Sequence, residues 1–313
     1  MRREHVVLLE QAYLKAQRSI NFTGRHRFDD RSRGADRLAL VLAGYKPHLW
    51  DLTLPRLERF LPDDLDVCVI SPGREVGELR TLAGRKGWSY LATRGNYPSL
   101  AANLAIRAHP RAEFVFKVDE DVFVAEGVLE RLLGTYARVE EERRHWPGFV
   151  APLLNVNGYS YLPFLQALGL ESAYRERFGP LTQAAGPLPI TEHPEAARWV
   201  WEHTLPFDET AARLAAGEPV HSAVPHKFSI GAILFHRDFW EQFGGFKVRP
   251  FVGGIGVDEA HICAAAMTFS KAMVVSHTTL AGHFSFAPQD AAMREALADL
   301  RPGLAIEPQA MAA

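Results

Sequence analysis

The sequence predicts an α/β fold with a doubly wound, mostly parallel sheet, helices on both faces and an irregular insertion. Three observations predict it. Apolar runs of strand length alternate with helical stretches over the first 126 residues, and such alternation is typical of parallel sheets. The runs are nearly continuous in apolar residues, as in strands buried on both faces. A regular strand and helix pattern returns after residue 228.

The first half supplies four strands separated by three helices. The strands are expected at RLALVLAGY (37–45), LDVCVIS (65–71), WSYLAT (88–93) and FVFKVD (114–119). The helices are expected over 52–61, 75–86 and 98–109, with Pro55 and Pro98 near the starts of the first and the third. Ligands bind at the carboxyl ends of strands in such sheets, so a site is expected there.

The second half is less regular. A helix is expected from Val128 to Val139 after a tight connection over 120–126, and residues 148–225 are irregular and rich in proline and aromatic residues. A strand and a helix follow in 228–246, a Gly-rich loop and a helix in 251–270, and a last strand in 272–278. We expect an N-terminal helix and Arg-rich loop over 1–36, one domain over 37–286, and a C-terminal helix and tail over 287–313.

Composition excludes several classes of protein. The 313 residues carry 35 basic and 37 acidic side chains, a balance that gives no general attraction to nucleic acid or anionic membrane. Cys68 and Cys263 lie in apolar runs, which predicts buried thiols and a reducing, cytoplasmic compartment. The opening MRREHVVLLEQAYLKAQ does not resemble a signal peptide. No run approaches the roughly 18 apolar residues of a membrane span. Attachment to a membrane surface is the alternative to a free cytoplasmic protein.

The acidic run of FVFKVDEDVFV raises the question of function. Asp119 and Asp121 flank one residue directly after a buried strand. Two carboxylates at such a place offer hard oxygen ligands to Mg²⁺ or Mn²⁺, and the ion can bridge a diphosphate. The alternative is a solvated acidic turn that caps the next helix.

At this point the chain resembles the GT-A family of nucleotide-sugar glycosyltransferases, in its non-processive members. Four segments carry the resemblance in the order of the family: the half that ends in VDED, then SIGAILFHRDFWEQFGGF, then GGIGVDEAH, then GHFSF. It covers roughly residues 37–286. It implies a GT-A fold with a nucleotide-sugar half over 37–126 and an acceptor half over 148–286.

The resemblance also implies site residues. The metal ligands for Mn²⁺ or Mg²⁺ would be Asp119, Asp121 and His283. The general base would be Asp258 or Glu259, although Asp258 as a helix cap and His283 as a structural histidine stay open. Contacts to the nucleotide and donor would come from Ala43, Gly44, Tyr45, Arg94, Asn96, Asn103, Lys117 and Glu120. Contacts on the sugar and acceptor side would come from Gly231, Gly254 and Trp199.

Some sequence features depart from the family or allow other functions. VISPGRE (69–75) lacks the acid that reads the base in many members, and EAARW (195–199) lies too early to mark a processive synthase. VDEDV also fits a haloacid-dehalogenase-like phosphatase with Asp119 as the nucleophile and Asp121 as acid/base. A non-catalytic sugar- or nucleotide-binding module of the same fold is the third reading. The expected partners are a nucleotide-sugar donor and a glycan or other hydroxyl acceptor, with a modified nucleobase as an alternative.

Overall fold

The predicted fold class is confirmed. The computed structural model describes residues 17–249 and 256–306, and it shows an α/β fold with a mixed, mostly parallel sheet and helices on both faces. The chain forms two compact units, each assembled from segments that alternate along the sequence. The contiguous domain boundaries expected from the sequence stay a prediction.

The first unit takes in the chain up to Tyr45 and then Asp64–Lys117 and Phe235–Phe269. Its strands are β1 (His26–Asp29), β2 (Arg37–Leu42), β3 (Asp66–Pro72), β4 (Ser89–Thr93) and the start of β5 (Phe114–Asp119), in the order β1-β4-β3-β2-β5. Strands β2, β3 and β4 are parallel, and β1 adds antiparallel to β4. These are the four predicted strands plus β1, which falls in the expected Arg-rich loop.

The sequence analysis did not predict strand β1, and the reason is physical. A strand at the edge of a sheet pairs with one neighbour and leaves half of its side chains in solvent, so it needs no apolar run. The helices of this unit match the expected positions: α2 (Gly77–Lys86), α3 (Pro98–Ala108), α10 (Arg237–Gln242) and α11 (Val257–Thr268). Helix α2 ends at Gly87, whose φ of +69° suits the left-handed conformation at a helix end.

The second unit takes in Lys46–Asp63, Val118–Leu234 and Ser270–Ala313. Its strands are β6 (Val122–Val124), β7 (Trp146–Leu154), β8 (His221–Ala223), β9 (Ala232–His236) and β10 (Lys271–His283). Strands β7 and β10 are parallel, while β6 and β8 pair antiparallel with β10. Strand β10 is longer than the predicted 272–278 because it continues through LAGH to His283. Strand β6 lies in the expected tight connection.

Of the eight helices described in the second unit, five fill much of the stretch 148–225 that was expected to be irregular, and the first, second and last lie where a helix was expected. They are α1 (Trp50–Phe60), α4 (Val128–Glu142), α5 (Tyr161–Leu168), α6 (Glu171–Phe178), α7 (Pro189–Glu192), α8 (Pro194–Thr204), α9 (Phe207–Ala215) and α12 (Asp290–Leu304). The aromatic residues of 148–225 pack mainly against each other. Tyr174, for example, lies edge-on to Trp199, with ring centroids 5.7 Å apart. Aromatic burial of this kind is the commonest fate of such side chains.

Helical structure is present at residues 17–20, and the rest of the predicted N-terminal helix lies outside the described residues. Within 17–249 and 256–306, no helix combines the length and the apolar composition needed to cross a bilayer.

Candidate active site

The acidic turn joins β5 to β6. Asp119 ends β5, and its N–H donates to the carbonyl of Gly231 at 2.8 Å. Its side chain is half-buried. The Glu120 carboxylate accepts a hydrogen bond from Trp50 Nε1 at 2.5 Å in the interior of the second unit. The Asp121 carboxylate contacts the side chains of His283 and Lys46. The carboxylates of Glu120 and Asp121 thus engage different partners, which limits their mutual repulsion.

Asp121 meets His283 because of strand pairing. Val122 of β6 lies opposite His283 of β10, and the N–H of Phe284 donates to the Asp121 carbonyl at 3.0 Å. The two side chains therefore leave neighbouring strand ends together, and His283 Nε2 is 3.5 Å from Asp121 Oδ2. Both side chains are largely buried, at 9 % and 10 % exposed. A register of this kind joins residues that are far apart in sequence.

Several hydrogen bonds fix the orientation of His283. Its Nδ1 lies 2.8 Å from the carbonyl oxygen of Val156, and its N–H donates to Asn155 Oδ1 at 3.0 Å. Trp201 Nε1 donates to the carbonyls of His283 and Phe284, at 3.2 and 3.0 Å. A carbonyl only accepts, so Nδ1 carries a proton, and Nε2 faces Asp121. Histidines that bind metals are commonly held in this way.

A third group completes the cluster around Asp121. Lys46 Nζ lies 2.7 Å from Asp121 Oδ2, 3.2 Å from Asp290 Oδ1 and 3.3 Å from the Ser285 carbonyl. Burial raises the pKa of Asp121, but His283 and Lys46 outweigh that effect and hold the pKa well below its usual range. Burial lowers the pKa of Lys46, and the carboxylates of Asp121 and Asp290 outweigh it, so that pKa is raised. Asp121 is therefore ionised at neutral pH.

This arrangement fits part of a divalent metal site. Among the described residues, no three or more His, Cys, Asp or Glu side chains are grouped to hold a metal ion, so the structure does not bring Asp119 together with Asp121 and His283. Ligands about 2.1 Å from one ion and near a right angle are about 3 Å apart, close to the separation of Nε2 and Oδ2. The two atoms fit one edge of a site that substrate phosphates and water would complete.

The predicted base lies in a buried ion pair of the first unit. Gly256, with φ of +73°, is the N-cap of α11, so Asp258 is in the first turn and is not the cap. Asp258 Oδ2 is 3.5 Å from Lys117 Nζ, with the two side chains 7 % and 2 % exposed. Lys117 lies on β5 and was expected to contact the donor. Glu259, the alternative base, is half-buried.

Three of the predicted nucleotide contacts lie where β2 ends. The N–H of Ala43 donates to Ile70 O at 3.0 Å, and the carbonyl of Gly44 accepts from Arg74 at 3.1 Å. The Arg74 guanidinium stacks over the Tyr45 ring, 4.4 Å from its centroid. Tyr45 is 42 % exposed, a large figure for an aromatic side chain. This stacked pair offers a flat surface to a ligand.

Arg94 and Asn96 are exposed beyond the end of β4. Arg94 lines a cleft of about 370 Å³, and the other lining residues are Arg25, His26, Arg27, Gly73, Arg74, Glu75, Ala92 and Thr93. The excess of basic side chains makes the cleft attractive to anions.

Other predicted residues have structural partners. Asn103 is fully buried, and its amide donates to the carbonyls of Asn21 and Phe246 and accepts from Trp240 Nε1. Because these hydrogen bonds occupy both the nitrogen and the oxygen of the amide, they favour a structural role for Asn103 over contact with a nucleotide. Trp199 is 7 % exposed and lies 4.0 Å, centroid to centroid, from His203.

Glycines 231 and 254 were expected on the sugar side. A Cβ on Gly231 would lie 3.1 Å from Val122 and 3.8 Å from the His283 ring. A glycine there lets the backbone approach the Asp121 and His283 cluster closely. Gly254 lies outside the described residues.

Sequence analysis missed three residues that shape the cluster: Lys46, Asn155 and Trp201. Lys46 follows the AGY segment that was assigned to the nucleotide, and Trp201 stands in the noted aromatic run. Neither position carries a local signal for its partner, because each contact joins residues far apart in the chain.

Comparisons with known proteins found similar solved structures but no match among sequences. No protein-family model matches the sequence, and no curated protein matches it. One similar solved structure is the mannosyltransferase PcManGT from Pyrobaculum calidifontis with GDP-Man and Mn²⁺; it is 14 % identical, with 94 % of this chain and 70 % of that chain covered and a TM-score of 0.47. Another is GalNAc-T7 with UDP, GalNAc and Mn²⁺; it is 9 % identical, with 82 % and 45 % covered and a TM-score of 0.46.

The chain thus spans less than half of the GalNAc-T7 chain it matches. Both structures hold a nucleotide or nucleotide sugar together with Mn²⁺.

Proposed function

We propose that this protein is a metal-dependent glycosyltransferase that moves a sugar from a nucleotide-sugar donor to an acceptor hydroxyl, with inversion at the anomeric carbon. The observation that carries the proposal is the Asp121 and His283 pair. An ionised carboxylate and an imidazole held through Nδ1 lie 3.5 Å apart at the end of β5. This donor set suits Mn²⁺ better than Mg²⁺, because imidazole prefers the softer ion.

Each residue would have a defined task. When bound, the divalent ion would supply charge stabilisation for the departing diphosphate. Asp121 and His283 would hold that ion, with Asp119 as a further candidate ligand. Tyr45 and Arg74 would offer a stacking surface to the nucleotide. Asn155 and Trp201 hydrogen-bond the backbone of His283 and help to hold this residue in position, while the Val156 carbonyl holds its ring.

The transfer itself needs a base. The acceptor oxygen forms a bond to the anomeric carbon while the bond from that carbon to the diphosphate oxygen breaks, and the acceptor proton moves to a carboxylate. We assign this proton to Asp258, with Glu259 as the alternative. Asp258 lies in the first turn of α11, with its Oδ2 3.5 Å from the Lys117 ammonium.

One feature of the cluster weighs against the phosphatase reading. In that chemistry Asp121 would have to donate a proton to a leaving group. His283 and Lys46 overcome the effect of burial and keep the pKa of Asp121 below its usual range, so a protonated Asp121 is scarce at neutral pH. A non-catalytic binding module would keep the metal-dependent nucleotide binding and lack transfer.

The proposal is tested by incubating the protein with a panel of nucleotide sugars and simple acceptors, with Mn²⁺ or with EDTA. Release of nucleoside diphosphate that needs Mn²⁺ and is lost in Asp121→Asn supports the proposal. Hydrolysis of simple phosphate esters in place of that reaction would favour the phosphatase. Metal-dependent binding with neither reaction would favour the binding module.

A further inference from the structure

Lys46 lies directly on the carboxylate that we assign to the metal. Its Nζ is 2.7 Å from Asp121 Oδ2, the same oxygen that His283 Nε2 faces at 3.5 Å. It also contacts Asp290 Oδ1 at 3.2 Å and the Ser285 carbonyl at 3.3 Å. The oxygen that would bind a divalent ion is therefore already neutralised by a cation from the protein.

An ammonium group 2.7 Å from the oxygen that faces His283 repels a divalent ion bound to that oxygen. Binding of the metal between Asp121 Oδ2 and His283 Nε2 is therefore favoured when Lys46 Nζ moves away. The side chain permits this movement: it is 21 % exposed, and lysine carries its charge on a flexible four-carbon stem. The partner that it would find next is anionic, since the metal brings the donor diphosphate with it. Lysine binds phosphate well as a point charge.

We propose that Lys46 is a further donor-binding residue. It neutralises Asp121 while the site is free and passes to the donor diphosphate when a divalent ion takes Asp121. The inference rests on the proposed function, and it adds a residue that the sequence did not single out. It makes two predictions of opposite sign for one substitution, which a purely structural lysine would not produce.

The test uses Lys46→Gln, which keeps a hydrogen-bond donor beside Asp121 and removes the charge. Mn²⁺ affinity is measured by electron paramagnetic resonance without nucleotide. Pyrophosphate affinity is measured by calorimetry at an Mn²⁺ concentration that saturates each protein. We expect Mn²⁺ to bind about tenfold tighter and pyrophosphate about tenfold weaker, the size of effect of one hydrogen bond to a charged group. Lys46→Arg, which keeps the charge, should resemble the parent protein in both measurements.

The matched control is Lys271→Gln. Lys271 belongs to the same unit and lies over the Trp146 ring, with Nζ 5.1 Å from the centroid. It carries the same charge, so an effect of net charge alone would show equally in both variants. Circular dichroism checks folding.

Asp290→Asn is a second variant, and it retains Lys46. It removes the other carboxylate that Lys46 contacts. Lys46 should then stay on Asp121, and Mn²⁺ should bind more weakly than to the parent.

The outcomes separate this inference from the proposed function. Mn²⁺ binding that is unchanged or weaker in Lys46→Gln, unchanged pyrophosphate binding, or unchanged Mn²⁺ binding in Asp290→Asn would overturn the role of Lys46 and leave the metal site standing. No Mn²⁺ binding by the parent or by Lys46→Gln would overturn both. Tighter Mn²⁺ with weaker pyrophosphate, absent in Lys271→Gln, is the expected result.

Discussion

Two buried carboxylates, one in each unit, are neutralised by lysine in different ways. Asp258 of the first unit pairs with Lys117, whose side chain is 2 % exposed and lies on a central strand. Asp121 of the second unit pairs with Lys46, whose side chain is 21 % exposed and is shared with Asp290. Lys117 has little freedom to leave, whereas Lys46 has an accessible route and a second anchor. The comparison indicates that the lysine beside Asp258 is fixed in place, whereas the lysine beside Asp121 can be exchanged for another cation.

The largest expected effect comes from Asp258→Asn. The variant keeps the shape of the side chain and removes the proton acceptor. The transfer rate should fall by a factor on the order of 10² to 10⁴, the usual share of general base catalysis. Steady-state kinetics with the best donor of the panel measures it, and binding of the donor with Mn²⁺ should change little. Near-normal turnover would direct attention to Glu259, for which Glu259→Gln is the matched variant.

The fixed nature of the Asp258 pair can be tested by stability. Lys117→Met leaves the Asp258 carboxylate buried without its partner, which should lower the free energy of unfolding by about 3–5 kcal/mol. Lys46→Met should cost less, because His283 still faces Asp121 and the side chain is partly in solvent. Urea denaturation followed by circular dichroism compares the two. Equal losses would contradict the distinction between the two pairs.

A smaller effect is expected from the residues that hold His283. Trp201→Phe keeps an aromatic ring and removes the N–H that donates to the carbonyls of His283 and Phe284. Loss of these hydrogen bonds to the backbone should weaken Mn²⁺ binding by up to about tenfold, the size of effect of one hydrogen bond. Trp199→Phe is the control, because Trp199 lies on the same helix and packs against His203. If both variants bind Mn²⁺ like the parent, Trp201 has no part in positioning the histidine.

The smallest expected effect concerns pH and the first unit. Burial, with help from Lys247 and Arg249, lowers the pKa of His261 to about 4. Its Nδ1 accepts a hydrogen bond from the N–H of Lys247 at 2.9 Å, which a protonated ring cannot do. The unfolded chain takes up this proton near pH 6.5. The stabilising contribution of His261 is therefore complete above about pH 6.5 and is lost as the pH falls toward 4.

Thermal melting of the parent protein and His261→Gln across that range measures the contribution. The difference in melting temperature between the two proteins should shrink as the pH is lowered, because only the folded parent must keep a histidine neutral. A difference that stays constant from pH 7 to pH 4.5 would contradict the assignment.

The sequence predicted the fold well where the signal was local. Strands β2 to β5 and the helices between them follow from apolar runs and from turn residues such as Gly87. Strands β1 and β6 were missed because one is an edge strand and the other is three residues long. No apolar pattern marks a strand that short.

The candidate site was predictable only in part. Asp121 and His283 were proposed together from the resemblance, and the structure brings them together by the pairing of β6 with β10. Lys46 reaches the same carboxylate from a loop 75 residues earlier. Sequence periodicity reports which residues face a core, and it carries no information about such long-range contacts. The pairing of Lys117 with Asp258 could not be predicted for the same reason, and its role as a donor contact stays a prediction.

The central claim is that Asp121 and His283 bind a divalent ion that carries the donor. The most direct measurement is calorimetric titration of nucleoside diphosphates with Mn²⁺ and with EDTA into the parent protein, Asp121→Asn and His283→Gln. Circular dichroism confirms the fold of each variant. We predict binding by the parent that is at least 100-fold tighter with Mn²⁺, and loss of that enhancement in both variants, since each removes one of two protein ligands and the second shell cannot replace it. Mn²⁺-enhanced binding by Asp121→Asn equal to that of the parent would contradict the claim.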